Sequence, residues 1–219
     1  MLGSLVDLVV GDSRKPERSA RAPDVPMLSH FLGYRSFDEE KRIFHQVRSK
    51  GFILELAPLV GANDRVNEII GTIFSDILQP GTRFSVTNFS SPRVAEMLQA
   101  WALPRFTASG VFRTLARHRL DKLLGGAWST LASDGPFFVR NFRVVMSVGI
   151  GQASGLTNDD LVTMRDGIIS ALESINVPVR QFAPIDLIRL FDEILAPSNG
   201  AGDEVPDYNR FDPINEQCV

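Results

Sequence analysis

The sequence predicts an α+β domain, in which helices lie on a mixed or antiparallel sheet as a two-layer sandwich. The elements follow the order β-hairpin, α, β, α, α, β, α, β, α, with two strand-helix-strand units separated by two extra helices. This order predicts ferredoxin-like units that carry a helical insertion. Of the 219 residues, 44% are hydrophobic and 22% are charged, which is typical of a globular chain with a sizeable core.

The hairpin and the strongest helix come first. Residues 41–47 and 52–56 are β-prone and flank a short turn that contains Gly51. Seven apolar residues between Val66 and Leu78 then recur at helical spacing, with Asn63 at the N-cap position. Because burial of such a set stabilises a fold by about 10–20 kcal/mol, we expect the sheet to cover this helix.

Alternating strands and helices complete the predicted domain. Residues 83–89 read as a strand, and Ser91 followed by Pro92 predicts the start of a helix that runs to about Trp101. Thr157 and Asp160 resemble a capping box. The remaining patterns predict helices over 110–124, 161–172 and 184–195 and strands over 137–148 and 177–182.

This single α+β domain is predicted to span residues 28–196. Residues 1–27 are predicted to be a short amphipathic helix and a linker, and residues 197–219 a flexible linker or tail. The apolar face of the first helix consists of Leu2, Leu5, Val6 and Val9.

Composition also limits where the chain works. No apolar run approaches the about 20 residues that span a bilayer, and the first ten residues lack the features of a signal peptide. A single cysteine, Cys218, suits a reducing compartment, so we expect a soluble cytoplasmic protein. The net charge of -3 gives no global attraction for nucleic acid.

No catalytic, cofactor or metal site is predicted. The phosphate-binding motif G-x-x-x-x-G-K-[ST], the zinc motif H-E-x-x-H and the nucleophile motif G-x-S-x-G are all absent from the sequence. The three histidines are dispersed, and the glycines of residues 149–155 lack the G-x-G-x-x-G spacing. We therefore expect surfaces to be the working parts of this chain.

One predicted helix concentrates basic residues: Arg113, Arg117, His118, Arg119 and Lys122. They do not share one face, so they form no continuous stripe for phosphates. Arg119 points among apolar positions, where an unpaired buried charge would cost several kcal/mol. We expect a carboxylate or carbonyl partner for Arg119, either within the fold or across an interface. We take Arg117 and Arg119 as candidate interface residues together with the apolar face of the first helix.

Five segments of the sequence together resemble a known protein family: residues 51–65 (GFILELAPLVGANDR), 91–96 (SPRVAE), 116–119 (ARHR), 136–144 (PFFVRNFRV) and 165–167 (RDG). In combination they resemble the N-terminal domain of the TraC-type ATPases, the assembly ATPases of F-like conjugative type IV secretion systems. The resemblance runs from about Leu28 to Leu195. Members of that family carry a C-terminal ATPase domain with Walker motifs, which this sequence lacks, so no catalytic residue is carried over.

The resemblance implies a docking and assembly role in pilus assembly and DNA transfer. The implied partners are inner-membrane proteins of the secretion channel, the C-terminal ATPase domain of a full-length protein, and further copies of the chain, with peripheral contact to the inner membrane and no nucleic acid. Leu2, Leu5, Val6 and Val9 would pack on the channel or the membrane surface, or else cover their own domain.

Two alternatives remain open at this point. The first is a small-ligand or peptide-binding domain unrelated to secretion, which needs a deep apolar pocket with converging polar groups. The second is a nucleic-acid-binding module that uses the basic helix over 113–122.

Overall fold

A computed structural model describes residues 28–59, 61–107, 109–195 and 207–218. These residues form six strands and five α-helices. The strands are β1 (Tyr34–Asp38), β2 (Ile43–Gln46), β3 (Ser49–Leu56), β4 (Thr82–Ser91), β5 (Asn141–Gly151) and β6 (Val179–Gln181). The helices are α1 (Asp64–Thr72), α2 (Ala95–Phe106), α3 (Val111–Gly125), α4 (Asn158–Glu173) and α5 (Pro184–Leu195).

The strands form one open antiparallel sheet in the order β1-β2-β3-β5-β4. The central strand β3 pairs with β5 along its whole length. On its other side β3 pairs with β2 near its start and with β6 near its end. The α+β class with an antiparallel sheet is therefore confirmed.

One face of the sheet packs against α4 and the end of α1. Alternate residues of β3 and β5 point to this face and meet Leu161, Met164 and Ile168 of α4, all of which are nearly or fully buried. A π-helical turn, Ile73–Ile77, extends α1 and buries Ile73 in the same cluster. This side holds the larger of the two cores on the sheet.

The opposite face is covered as well. Phe44, Ile53 and Val145 point to it and pack against Leu187 and Ile188 of α5. The prediction of a two-layer sandwich is therefore wrong at the centre of the sheet, which has helices on both faces. The run Phe52-Ile53-Leu54 is apolar at successive positions, the pattern of a strand buried on both faces.

The C-terminal segment contributes to this second face. The sequence predicts a flexible tail over 197–219, but residues 207–218 pack on the domain and end in a 3₁₀ turn, Ile214–Gln217. Ile214 and Cys218 are fully buried in the cluster on this face, and their turn packs against β1 and α5. The side chain of Asn215 accepts a hydrogen bond from Arg35 at 2.7 Å and donates one to the carbonyl of Ser29 at 2.9 Å.

Several local predictions are confirmed. The Asn63 side chain accepts a hydrogen bond from the backbone N–H of Val66 at 3.0 Å, as an N-cap does. Thr157 and Asp160 form the reciprocal capping box of α4. The hairpin forms between β2 and β3, although its turn lies at Val47 and Arg48 and Gly51 belongs to the strand.

Two local predictions are wrong. Ser91 is the last residue of β4 rather than a helix N-cap, and α2 begins at Ala95. The helix that starts near Asn63 leaves Ile70 and Phe74 exposed, although its apolar spacing predicts that both are covered. The π-helical turn accounts for Phe74, because its wider spacing changes the direction of the side chains within it.

Candidate docking surface

The helices α2 and α3 form an antiparallel hairpin between β4 and β5, and they pack mainly on each other. The hairpin has a small core of its own, built by the buried residues Val94, Leu98, Ala102, Leu120 and Ala127. This core uses only one side of each helix. The other sides of α2 and α3 are open to solvent.

Large apolar side chains lie on these open sides, near the connection between the helices. Leu103 of α2 is 69% exposed, and Val111, Phe112 and Leu115 of α3 are 70%, 73% and 59% exposed. Successive residues of a helix are 100° apart, so these three α3 residues share one side, and Arg119 and Lys122 continue it. We call Leu103, Val111, Phe112, Leu115, Arg119 and Lys122 the hairpin surface. Grouped exposed apolar side chains of this size are typical of interaction sites.

Arg119 lies on this surface rather than in the core. Arg119 is not buried as its apolar neighbours in sequence predict, because the residue is exposed and its guanidinium lies 6.0 Å from the ring centre of Trp101. A carboxylate or carbonyl partner for Arg119 across an interface stays a prediction. Arg105 approaches the same ring at 4.2 Å. Two cations therefore flank one half-buried tryptophan and give the apolar surface a basic border.

Arg117 does not join this group. It is exposed on α3, but it lies two residues before Arg119 and therefore on nearly the opposite side of the helix. Over its whole length α3 carries Arg113, Arg117, Arg119 and Lys122 against the single acid Asp121. The hairpin is thus basic within a chain whose net charge is -3.

The other predicted interface residues are Leu2, Leu5, Val6 and Val9. They lie outside the described residues. Their role as a docking helix therefore stays a prediction.

A network of ion pairs fixes the base of the hairpin to the sheet. Arg143 of β5 contacts Glu55 of β3 at 2.6 Å and Glu193 of α5 at 2.8 Å. Glu193 also accepts a hydrogen bond from the hydroxyl of Ser91. Arg93, two residues further on, pairs with Asp192 of α5 at 2.7 Å. Because Ser91 and Arg93 directly precede α2, these contacts set the direction in which the hairpin leaves the sheet.

The two glutamates of this network have opposite pKa shifts. Burial opposes the ionisation of Glu55, but hydrogen bonds from Arg143 and Arg180 outweigh it and hold the pKa of Glu55 below its usual range. Burial raises the pKa of Glu193 above its usual range, and the attraction of Arg143 does not fully offset it. The network therefore favours the ionised form of Glu55, whereas burial disfavours the ionised form of Glu193.

Comparison with known proteins identifies the family. The family model described as "TraC protein" matches residues 28–219. The chain belongs to the TraC protein family. The resemblance noted in the sequence is thereby confirmed.

The TraC protein of Escherichia coli (strain K12) is 29% identical to the chain over 229 residues. That match covers 98% of the chain but 26% of the relative, at its N-terminal quarter. The chain therefore spans about a quarter of the length of this relative. No solved structure matches it.

The described part of this TraC family member shows no metal-binding cluster. Its His, Cys, Asp and Glu residues form no group of three that could hold a metal ion. A cleft of about 220 Å³ lies on the sheet beside Gly51, Ser85 and Ser147, below the about 300 Å³ at which ligand pockets begin. None of the helices in the described ranges is long and apolar enough to cross a membrane.

Cys218 is also unsuited to covalent chemistry. Burial raises the pKa of its thiol to about 11, and the Sγ atom donates a hydrogen bond to the carbonyl of Ile214 at 3.2 Å. A thiol in this state carries almost no reactive thiolate at neutral pH.

The hairpin surface is the feature that the sequence did not reveal. Helix α3 carries two apolar groups, one around Val111 and Leu115 and one around Leu120 and Leu124, and either could have been the buried one. Only the second packs against α2. The signal that could have indicated a docking surface is the presence of two apolar sides on one helix.

Proposed function

We propose that this chain is a non-catalytic docking and assembly domain of a TraC-like conjugative type IV secretion ATPase. The hairpin surface carries this proposal: four large apolar side chains stand in solvent with a basic border. The domain would attach the motor to the secretion channel on the cytoplasmic side of the inner membrane. It would work in pilus assembly and DNA transfer.

The chemistry of the surface favours a protein partner with an apolar centre and an acidic rim. Burial of a leucine, valine or phenylalanine side chain stabilises a complex by about 1.5–3 kcal/mol, so the exposed group offers enough for specific binding. The cations at its border would meet carboxylates of the partner and exclude basic surfaces. Inner-membrane proteins of the secretion channel are the partners that the family context favours.

A binding measurement on purified components tests the proposal. The chain and its double variant Phe112→Ser/Leu115→Ser are titrated against the detergent-solubilised inner-membrane channel complex. We expect the double variant to bind at least tenfold more weakly, because two anchors of about 1 kcal/mol or more each are lost. Phe211→Ser is the matched control, since Phe211 is 82% exposed and lies in the C-terminal segment. Equal loss in the control, or unchanged binding of the double variant, contradicts the proposal.

A titration with DNA at two salt concentrations tests one of the alternatives. A nucleic-acid-binding module would bind DNA through residues 113–122, with an affinity that falls steeply between 50 and 200 mM salt. We expect no such binding, because Arg117 and Arg119 lie on opposite sides of α3. A small-ligand or peptide-binding domain would instead need a pocket larger than the cleft described above.

The N-terminal residues are proposed as a second contact. Leu2, Leu5, Val6 and Val9 would pack on the channel or at the membrane surface. Flotation with anionic liposomes and co-purification with channel proteins test this on a variant that lacks residues 1–12. If the deletion changes neither result, the N-terminal docking helix is excluded and the hairpin surface stands alone.

The absence of catalysis is proposed on the sequence, which contains no Walker A motif. We expect the purified chain to turn over no ATP above the rate of a buffer control. Turnover by the chain alone would overturn this part of the proposal.

We also propose that two split strand-helix-strand units make the fold ferredoxin-like, with the α2–α3 hairpin as the insertion. The strand order β6-β3-β5-β4 supports this. The unit β3-α1-β4 joins two strands that have β5 between them, and the unit β5-α4-β6 joins two strands that have β3 between them. An experimental structure with a different order of these four strands would contradict it.

A further inference from the structure

Strand β4 is a long outer strand. It pairs with β5 over all ten residues from Thr82 to Ser91, and no strand of the described part of the chain pairs with its other side. In an antiparallel strand, alternate residues direct their N–H and C=O groups away from the neighbouring strand. Five residues of β4 therefore direct backbone groups away from β5. Within the described residues the N–H of Thr82 donates to the carbonyl of Gln79 at 3.2 Å, and the other four have no backbone partner there. Such an edge is a template for another strand.

The opposite edge of the sheet is protected against such pairing. Strand β1 has five residues, a bulge between Tyr34 and Ser36, and the charged residues Arg35 and Asp38. Short length, bulges and charges are the usual protections of an edge. β4 is ten residues long, its register with β5 is regular, and it contains no proline. Its one charged residue, Arg83, lies near its start and leaves the rest of the edge without a charge.

An apolar strip lies beside this open edge. Val86, at the middle of β4, is 51% exposed. Phe84 points to the same face, and the ring of Phe74 packs on it with ring centres 4.9 Å apart. Phe74 is itself 52% exposed, and Ile70 lies one helical turn before it. The edge therefore offers both backbone groups and apolar side chains.

We propose that β4 pairs antiparallel with β4 of a second copy of this chain, about a twofold axis at Val86. In that register Val86 lies opposite its own counterpart, Phe84 lies opposite Asn88, and Arg83 lies opposite Phe89. The two sheets then form one continuous sheet, and the two apolar strips meet at the axis. The inference is independent of the hairpin surface and goes beyond docking to the channel.

The distribution of charge selects a second copy as the occupant. Because Arg83 is three residues from the axis, self-pairing places the two arginines about 20 Å apart, at opposite ends of the interface. Each guanidinium then faces a phenylalanine ring, which is a favourable contact. No pair of like charges is opposed, so this strand is complementary to itself.

Charged substitutions of Val86, at the axis, test the pairing. The molar mass of the chain is measured by analytical ultracentrifugation across a range of concentrations, and we expect a dimer. Val86→Lys and Val86→Glu each place two like charges opposite one another, and each should weaken the dimer at least 100-fold. An equimolar mixture of the two variants should dimerise again, a recovery that a misfolded variant would not show. Leu103→Lys is the matched control, since Leu103 is also exposed but lies on the hairpin, and its dimer should persist.

Cysteine pairs then test the register. Residues directly opposite in an antiparallel pair have Cα atoms about 4.5–5.5 Å apart, within the range of a disulfide. Val86→Cys should therefore form a covalent dimer on mild oxidation, whereas Arg83→Cys should not.

Three results would overturn the proposal. The first is a chain that remains monomeric at all concentrations. This holds even if a variant lacking residues 1–27 dimerises, because residues 1–27 would then be what covers the edge in the complete chain. The second is a dimer that Leu103→Lys disrupts and Val86→Lys does not. The third is equal cross-linking through Arg83→Cys.

Discussion

Glycine at position 51 permits a close approach of two backbones. A Cβ atom at this position would lie 2.1 Å from the carbonyl oxygen of Val148, across the β3–β5 pair. A backbone atom in the middle of a sheet cannot move away, so we expect Gly51→Ala to destabilise the fold by about 3 kcal/mol or more. Gly71→Ala is the control, because Gly71 lies inside α1 with open space around it and the change should stabilise by about 0.5–1 kcal/mol. Urea unfolding of both variants checks this prediction, and equal midpoints would contradict it.

Glu55 gives the stability of the domain a defined dependence on pH. Its pKa is lowered in the folded state, so its contribution is fully present above the unfolded pKa of about 4.3 and is lost as the pH falls through the folded value. Glu193, whose pKa is raised, acts in the opposite direction, and its contribution is lost as the pH rises through the folded value.

Glu55→Gln should therefore cost about 2 kcal/mol at pH 7 and progressively less below pH about 4.3. Unfolding curves of the two proteins across this pH range measure the difference. Asp159→Asn serves as the control, because Asp159 pairs with Lys41 at the surface and its side chain is 80% exposed, so the cost should stay below about 1 kcal/mol. If the free energies of unfolding of the Glu55→Gln variant and the unmodified chain differ by the same amount at every pH, the lowered pKa of Glu55 is contradicted.

At the scale of elements, the C-terminal segment is the clearest departure from the sequence prediction. Its Gly, Asn, Asp and Pro content indicates flexibility, yet Ile214 and Cys218 are buried where their turn packs against β1 and α5. We expect Ile214→Ala to destabilise the domain by about 3 kcal/mol through the cavity that it leaves. Phe211→Ala, three residues earlier and exposed, should have almost no effect. Thermal unfolding distinguishes a packed segment from a flexible one. If the segment were flexible, neither substitution would change the melting temperature.

Local signals predicted the elements better than their arrangement. Capping residues such as Asn63 and Thr157 fix helix starts because their hydrogen bonds are made within four residues. Strand β1 was missed because its residues Tyr-Arg-Ser-Phe-Asp mix apolar and charged positions, and its pairing with β2 depends on contacts elsewhere. The start of α2 was misplaced because Ser91 bonds to Glu193, 102 positions away in sequence. The candidate site depended on which side of α3 meets α2, a question of packing that helical spacing alone does not answer.

At the scale of the whole molecule, the described residues offer two separate open surfaces, one on the helical insertion and one at an edge of the sheet. The hairpin surface lies on the helical insertion between β4 and β5, and the open edge of β4 runs along the side of the sheet. The network around Arg143 ties the base of the insertion to α5 and β3. A domain built in this way can bind a channel protein with one surface and a second copy with the other.

Site-specific photo-crosslinking tests the docking role most directly. A photo-reactive amino acid is placed at position 115, on the hairpin surface, or at the exposed control position 211, in cells that carry the complete conjugation system. We predict that position 115 forms an adduct with an inner-membrane protein of the secretion channel and that position 211 does not. Adducts that are the same from both positions, or that arise from position 115 only with lipid or DNA, would contradict the account.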